Sequence, residues 1–314
     1  MEGVVDHNIR RLYAGIGGVD LAVTEFMRVS INHLPDRVFH QLCPELTAPI
    51  SIPVRLQLLG SDPELLAAHA ARAAELGAIG IDLNFGCPAK TVNKSRGGAC
   101  LLQEPALLFD IAKAVRAAVP SNIPVTAKMR LGFHERRGYI ENATALAEGG
   151  ISELFVHGRS KADSYTPPAY WGPIGEIRQA LNIPVIANGE IWTVEDALQC
   201  KEESGCTDLM LGRGLLATPD LALAIKSRLS DIEYEPWPWP KVLASVWQYH
   251  LATLESYDLR YAGNRLKQWL MYLQRSYSGA GQFFEMIKRE RTPERLEAKM
   301  QEYCSLAKID ASGS

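Results

Sequence analysis

The chain has 314 residues, 47% of them hydrophobic and 22% charged, and a formal net charge of −3. This is an ordinary globular balance, and the length allows one barrel-sized domain plus a small second one. No apolar run reaches the roughly 18 residues of a membrane span, and the opening MEGVVDHNIRRL holds no apolar signal core, so the expectation is a cytoplasmic protein with no membrane partner.

Short β-branched runs alternate with helical stretches along the first two thirds of the chain. Strands are expected at Asp20–Phe26, Val54–Leu59, Gly80–Asn84, Val125–Arg130, Glu153–His157, Val185–Asn188 and Asp208–Leu211. Alanine-rich helical patterns such as 63–78 and 105–119 lie between them. Repeated strand–helix–strand units mean parallel strands with right-handed crossovers. No GxGxxG follows an early strand, against a dinucleotide-binding sheet. Gln57, Asn84, Lys128, Arg130, His157, Asn188 and Arg213 fall at or near strand C-terminal ends, where (β/α)8 TIM barrels build their sites. Such a barrel has eight strands and seven are read here, so the first is expected before Met1.

A helix after Arg213 runs to about Ser230, and Glu235-Pro-Trp-Pro-Trp-Pro240 then stops regular structure. The boundary is placed there: a catalytic barrel over 1–234 and an all-helical domain over 235–314. In the latter, apolar residues recur at three- and four-residue spacing, and Trp247, Tyr249 and Trp269 are assigned to its core. Residues 241–314 carry a charge of +3 against −6 for the rest, a mild pointer to a polyanion partner that an ordinary solvated surface explains equally well. The six cysteines are scattered without a CxxC pair, so neither a metal site nor a disulfide framework is expected. Nothing argues against a monomer.

The richest segment is 82–102, DLNFGCPAKTVNKSRGGACLL. A strand ends at Asn84 and a Gly-Cys-Pro turn puts Cys87 on a loop over the barrel mouth. A thiol with an ordinary pKa of about 8.5 is protonated at neutral pH and can serve as a general acid; activated, it can attack as a nucleophile. Gly97 and Gly98 mark either mobility or close packing. Phosphate is expected at the loops after the last two strands, Asn188-Gly189-Glu190 and Gly212-Arg213. Glycines there admit backbone N–H groups to an anion, and Arg213 adds a charged fork.

The loop NFGCPAK (84–90) resembles the signature of the tRNA-dihydrouridine synthases. The resemblance continues in order through VRLQLLG (54–60), AKMRLG (127–132), VHGR (156–159), IANGEI (186–191) and LGRG (211–214), and NRLKQWL (264–270) is similar to the C-type bacterial branch. It implies an FMN enzyme that uses NADPH to reduce the C5=C6 bond of a D-loop uridine, at position 16. It also implies backbone contacts to the flavin at Met1 and Glu2, where the family has a strand ending. Lys128 is suited to the N1–O2 edge of the flavin and Gln57 to its pyrimidine edge, while His157, with Arg159, is placed to bracket the ring or its phosphate. Cys87 then protonates C5 of a uridine that has taken hydride at C6. tRNA contacts are assigned to Arg28, Asn84, Tyr165, Arg265, Lys267 and Lys288, with Lys94 and Arg96 near the active loop; each of these cations is equally an ordinary surface charge. Three other readings share these features: a flavin reductase of a free pyrimidine, an aldolase or isomerase with Lys128 as Schiff base, and a non-catalytic RNA-binding barrel.

Overall fold

The alternation read from the sequence is realised in chain order as α1 (His7–Ile16), β1 (Ala22–Arg28), α2 (Asp36–Leu42), β2 (Val54–Leu59), α3 (Pro63–Glu75), β3 (Ile81–Phe85), α4 (Lys90–Lys94), α5 (Pro105–Ala118), β4 (Val125–Arg130), α6 (Tyr139–Glu148), β5 (Glu153–His157), α7 (Gly172–Ala180), β6 (Val185–Asn188), α8 (Val194–Ser204) and β7 (Leu209–Met210). Six helices follow: α9 (Arg213–Ala217), α10 (Leu221–Leu229), α11 (Trp239–Ser256), α12 (Asn264–Leu273), α13 (Ser278–Ile287) and α14 (Pro293–Ala307). This computed structural model describes residues 3–30, 33–261 and 263–307. They fall into two units, Asp20–Gly212 and Gly3–Val19 with the described part of Arg213–Ser314.

In the first unit the seven strands pair in chain order, every pair parallel. Alternate residues face opposite sides of a strand, and two bonds that skip strands identify the concave side. Arg55 on β2 forms a bidentate pair with Glu153 on β5 at 2.6 and 2.9 Å, and Lys128 on β4 donates to Asn188 on β6 at 3.0 Å. The concave side therefore carries Arg55, Gln57, Asp82, Asn84, Thr126, Lys128, Glu153, His157 and Asn188. The intervening Leu56, Leu58, Leu83, Ala127, Met129, Leu154 and Val156 are buried on the other face, where α3, α5 and α6 pack. This is a TIM-barrel-like sheet. Among the described residues β1 and β7 have a strand partner on one side only. The strand expected before Met1 lies outside the described residues.

The second unit is helical. Its core gathers Ile9 and Tyr13 of α1, Val246 and Tyr249 of α11, Leu266 and Trp269 of α12, and Phe283 of α13, with Trp247 packed at its edge. The units do not divide at 234/235. Tyr13 donates to the Leu215 carbonyl at 2.8 Å, and Asp6 accepts from Tyr257 at 2.9 Å and Tyr249 at 3.3 Å, which ties α1 to the helical core. Across the expected boundary, one Asp220 oxygen accepts from both Tyr234 OH at 2.9 Å and the Trp237 N–H at 2.8 Å. The proline-rich segment is thus anchored chain and not a linker.

Candidate active site

Register places Gln57 beside Asp82, Asp82 beside Thr126, and Asn84 beside Lys128. Asp82 is fully buried and both its oxygens accept: Oδ1 from Thr126 at 2.6 Å, Oδ2 from Gln57 Nε2 at 2.7 Å. Burial raises the Asp82 carboxyl above its ordinary value, opposed by those two bonds and by the charge of Lys128. Gln57 Oε1 accepts from Asn84 Nδ2 at 2.8 Å, and Asn84 Oδ1 accepts from the peptide N–H groups of Gly86 at 2.9 Å and Cys87 at 3.0 Å. Burial lowers the Lys128 ammonium to about 8, the Arg130 charge adds to this, and Asp82 opposes it. Lys128 is therefore a cation at neutral pH that holds its proton weakly.

Cys87 is half-buried at the C-terminal end of β3. Its carbonyl accepts from Asn93 Nδ2 at 3.0 Å and the Ala99 N–H at 3.1 Å. Arg130 adds a bond to the Gly86 carbonyl at 2.8 Å. Gly98 has φ +65°, and a Cβ there would stand 2.8 Å from the Cys87 carbonyl oxygen. Of the two options the glycine pair left open, close packing is the one found at Gly98.

His157 is buried at the end of β5, with Arg159 Nη1 at 3.4 Å from its Nε2. Arg159 is fully buried. Its remaining donors go to the Thr166 carbonyl at 2.8 Å and to the Glu190 carboxylate, which also accepts from Trp192 at 2.9 Å. The Arg159 and Glu190 side chains are thus engaged with each other. Gly189 at φ +118° and Glu190 at φ +57° form a turn in which a Cβ on Gly189 would meet the His157 ring at 2.6 Å. Gly212 ends this unit and Arg213 opens α9 in the other. Met1 and Glu2 lie outside the described residues.

The residues assigned to tRNA fall in both units. Arg28 is exposed at the end of β1, 3.5 Å from the Thr91 carbonyl, and Tyr165 is exposed with the Arg130 guanidinium 5.3 Å from its ring. Near the active loop, Arg96 is paired with Glu104 at 2.8 Å. In the helical unit Arg265 donates to the Gly3 carbonyl at 2.7 Å and lies over the Tyr257 ring. Lys267 bonds the Glu290 carbonyl, and Lys288 pairs with Glu285 at 2.5 Å. Asp82 and Thr126 were not singled out from sequence. The available signal was a charged residue inside an otherwise apolar strand, which needs buried partners.

The fold is that of a parallel β/α barrel, the class in which enzymes carry their chemistry at the C-terminal ends of the strands. The family model described as Dihydrouridine synthase (Dus) matches residues 1–308. A curated tRNA-dihydrouridine(16) synthase of Pseudomonas putida is 51% identical over 92% of this chain and 91% of that protein. The protein of the same name from Escherichia coli K12 is 46% identical over 92% and 91%. The chain belongs to the dihydrouridine synthase family. In fold alone, the old yellow enzyme homologue of Zymomonas mobilis is similar, with a TM-score of 0.52 at 15% identity, covering 74% of this chain and 85% of that one.

Proposed function

We propose that this protein reduces the C5=C6 bond of a D-loop uridine in tRNA, at position 16, with FMN as cofactor and NADPH as reductant. The observation that carries the reading is the Cys87 thiol on a peptide clamped on both sides, beside a concave layer that ends in Lys128, Asn84 and Asn188. Family membership supplies the substrate class, and the names of the curated relatives supply the position.

The mouth suits a flavin in its chemistry. Lys128 is a cation within the barrel for an edge that gains negative charge, Gln57 is an amide for a pyrimidine edge, and the left-handed turn at Gly189–Glu190 offers backbone to an anion. Gly212 and Arg213 complete the proposed phosphate loops, and Met1 and Glu2 are retained from the family pattern. His157 is assigned to the wall of the ring site. The bound flavin supplies hydride.

The remaining chemistry belongs to side chains. Hydride arriving at uridine C6 leaves negative charge at C5 and its carbonyl, and the Cys87 thiol gives its proton to C5. Asn84, bonded to the Cys87 peptide, is assigned to the base together with Arg28 and Tyr165. Arg265, Lys267 and Lys288 are proposed to meet the tRNA backbone. Flipping the base out costs a few kcal/mol, which phosphate contacts offset. The test is the visible spectrum of the purified protein: flavin bands that bleach with NADPH and recover on adding uridine-bearing tRNA. A protein that neither holds nor rebinds FMN overturns the reading.

A further inference from the structure

The polar layer of the barrel has a direction. Asp82 Oδ2 accepts from the Gln57 NH2 group at 2.7 Å, which leaves the Gln57 carbonyl for the other side. The Gln57 carbonyl must then face Asn84, whose NH2 donates to it at 2.8 Å. That in turn aims the Asn84 carbonyl at the peptide N–H groups of Gly86 and Cys87, at 2.9 and 3.0 Å. Reversing Gln57 would set carbonyl against the Asp82 oxygen and NH2 against the Asn84 NH2, and reversing Asn84 would set carbonyl against the Gln57 carbonyl and NH2 against the Gly86 and Cys87 N–H groups. Thr126 holds the second carboxylate oxygen at 2.6 Å, so Asp82 cannot rotate away without losing both partners.

We propose that Asp82 is a positioning residue: through Gln57 and Asn84 it fixes the amide that anchors the Gly86–Cys87 peptide, and so sets where the Cys87 thiol stands. The role in catalysis rests on the proposed reduction; the relay itself does not. Asp82 lies two residues below Asn84 on β3, has no exposure, and is linked to the Cys87 peptide through the two amides. With its direction fixed, Asn84 has both carbonyl lone pairs engaged and one N–H left over. It therefore offers a base a donor, which matches a uracil carbonyl and not a cytosine amino group.

The test exchanges the two ends of the relay. Asn84→Asp alone sets the Gln57 carbonyl against a carboxylate, and Asp82→Leu alone removes the oxygen that orients Gln57. The double variant D82N/N84D restores a consistent chain running the other way: the amide at 82 donates to Gln57, Gln57 donates to the carboxylate at 84, and that carboxylate still accepts from Gly86 and Cys87. Net charge is conserved. The readout is the rate of iodoacetamide labelling of Cys87 in the full-length protein without tRNA, followed by peptide mass spectrometry, with buried Cys200 reporting unfolding. Loosening the anchor should speed Cys87 labelling about threefold or more in each single variant, and the double variant should return to within about twofold of the parent. Rates within about twofold of the parent in all three proteins overturn the proposal, and so does a folded double variant that labels as fast as the singles. If a single variant loses its cooperative melt, the thermal midpoint serves the same comparison, and a double variant that fails to recover it overturns the proposal.

The labelling needs no turnover, so loss of the proposed activity would leave the relay standing. In the active enzyme Asp82→Leu should lower kcat about tenfold with KM for tRNA within about twofold, and an unchanged kcat removes the positioning role.

Discussion

Lys128 on β4 donates to Asn188 on β6, bypassing the strand between them, and Asn188 in turn donates to the Met210 carbonyl on β7 at 2.7 Å. One ammonium thereby joins three strands at the mouth and stays charged inside the barrel. Burial brings it down to about 8, so its charge is complete well below that pH and lost above it. Affinity for FMN is expected to fall as pH rises through about 8. In Lys128→Arg the fall should vanish, because a guanidinium does not titrate there. Lys128→Met should weaken FMN binding about tenfold to a hundredfold, the worth of one charge-assisted hydrogen bond. Fluorescence titration of the apoprotein between pH 6 and 10 reads all three, and a flat profile in the parent would refute the assignment.

The same group gives the sign of a stability change without cofactor. The unfolded chain keeps the lysine proton up to about 10.5 and the folded chain only to about 8. Between those values the unfolded state binds more protons, so Lys128 makes the apoprotein gain stability as pH rises. Denaturant midpoints of the parent and Lys128→Met should converge as pH approaches 10.

Cys87→Ala should retain flavin and lose turnover by about 10²- to 10⁴-fold, the range for removing a general acid. Stopped-flow absorbance separates the steps. Bleaching by NADPH should keep its rate, and recovery with tRNA should slow. Recovery at the parental rate would remove Cys87 from the chemistry.

Much of this was legible in the sequence. The β2, β4, β5 and β6 bounds coincide with the runs read from it, because short, largely apolar segments bounded by turn residues leave little freedom. β7 shrinks to Leu209–Met210 and β1 runs two residues later than expected. The partners of single side chains were not legible. Arg265 reads as a surface cation, yet its partner is the Gly3 carbonyl, 262 positions away, and the 234/235 boundary fails for the same reason. Local composition marks a proline stop but is blind to the Asp220 carboxylate that ties it down. The concave strand face also broke the pattern, since Asp82 and Thr126 occupy positions that periodicity alone assigns to a core.

Arg55 and Glu153 face each other across the concave side, with side chains 11% and 28% exposed. Taking away one partner leaves the other charge largely desolvated, so Arg55→Met should cost about 2–4 kcal/mol. The double variant R55M/E153L should cost less than either single change. A double-mutant cycle on denaturant midpoints checks this, and additive losses would contradict it. Gly98→Ala, which puts a Cβ against Cys87 at a left-handed φ, should cost about 1–3 kcal/mol in the same assay.

His250 on α11 is 1% exposed, and neither ring nitrogen has a hydrogen-bond partner among the described residues. Burial lowers it from 6.5 to about 4, so the folded protein holds it neutral while the unfolded chain protonates it below about 6.5. Its contribution to stability is therefore present above pH 6.5 and is lost as pH falls toward 4, by up to about 3 kcal/mol. His250→Phe removes two unsatisfied polar atoms and the titration with them. The variant should gain about 1–3 kcal/mol at neutral pH if the larger ring is accommodated, and more than that at pH 5. His250→Leu, which adds no bulk, controls for overpacking. The discriminating measurement is the difference in unfolding free energy between parent and variant at pH 7.5 and pH 5. A gap that widens on acidification identifies His250 as the acid-sensitive group of the helical core, and a gap independent of pH shows that its ring is never asked to charge.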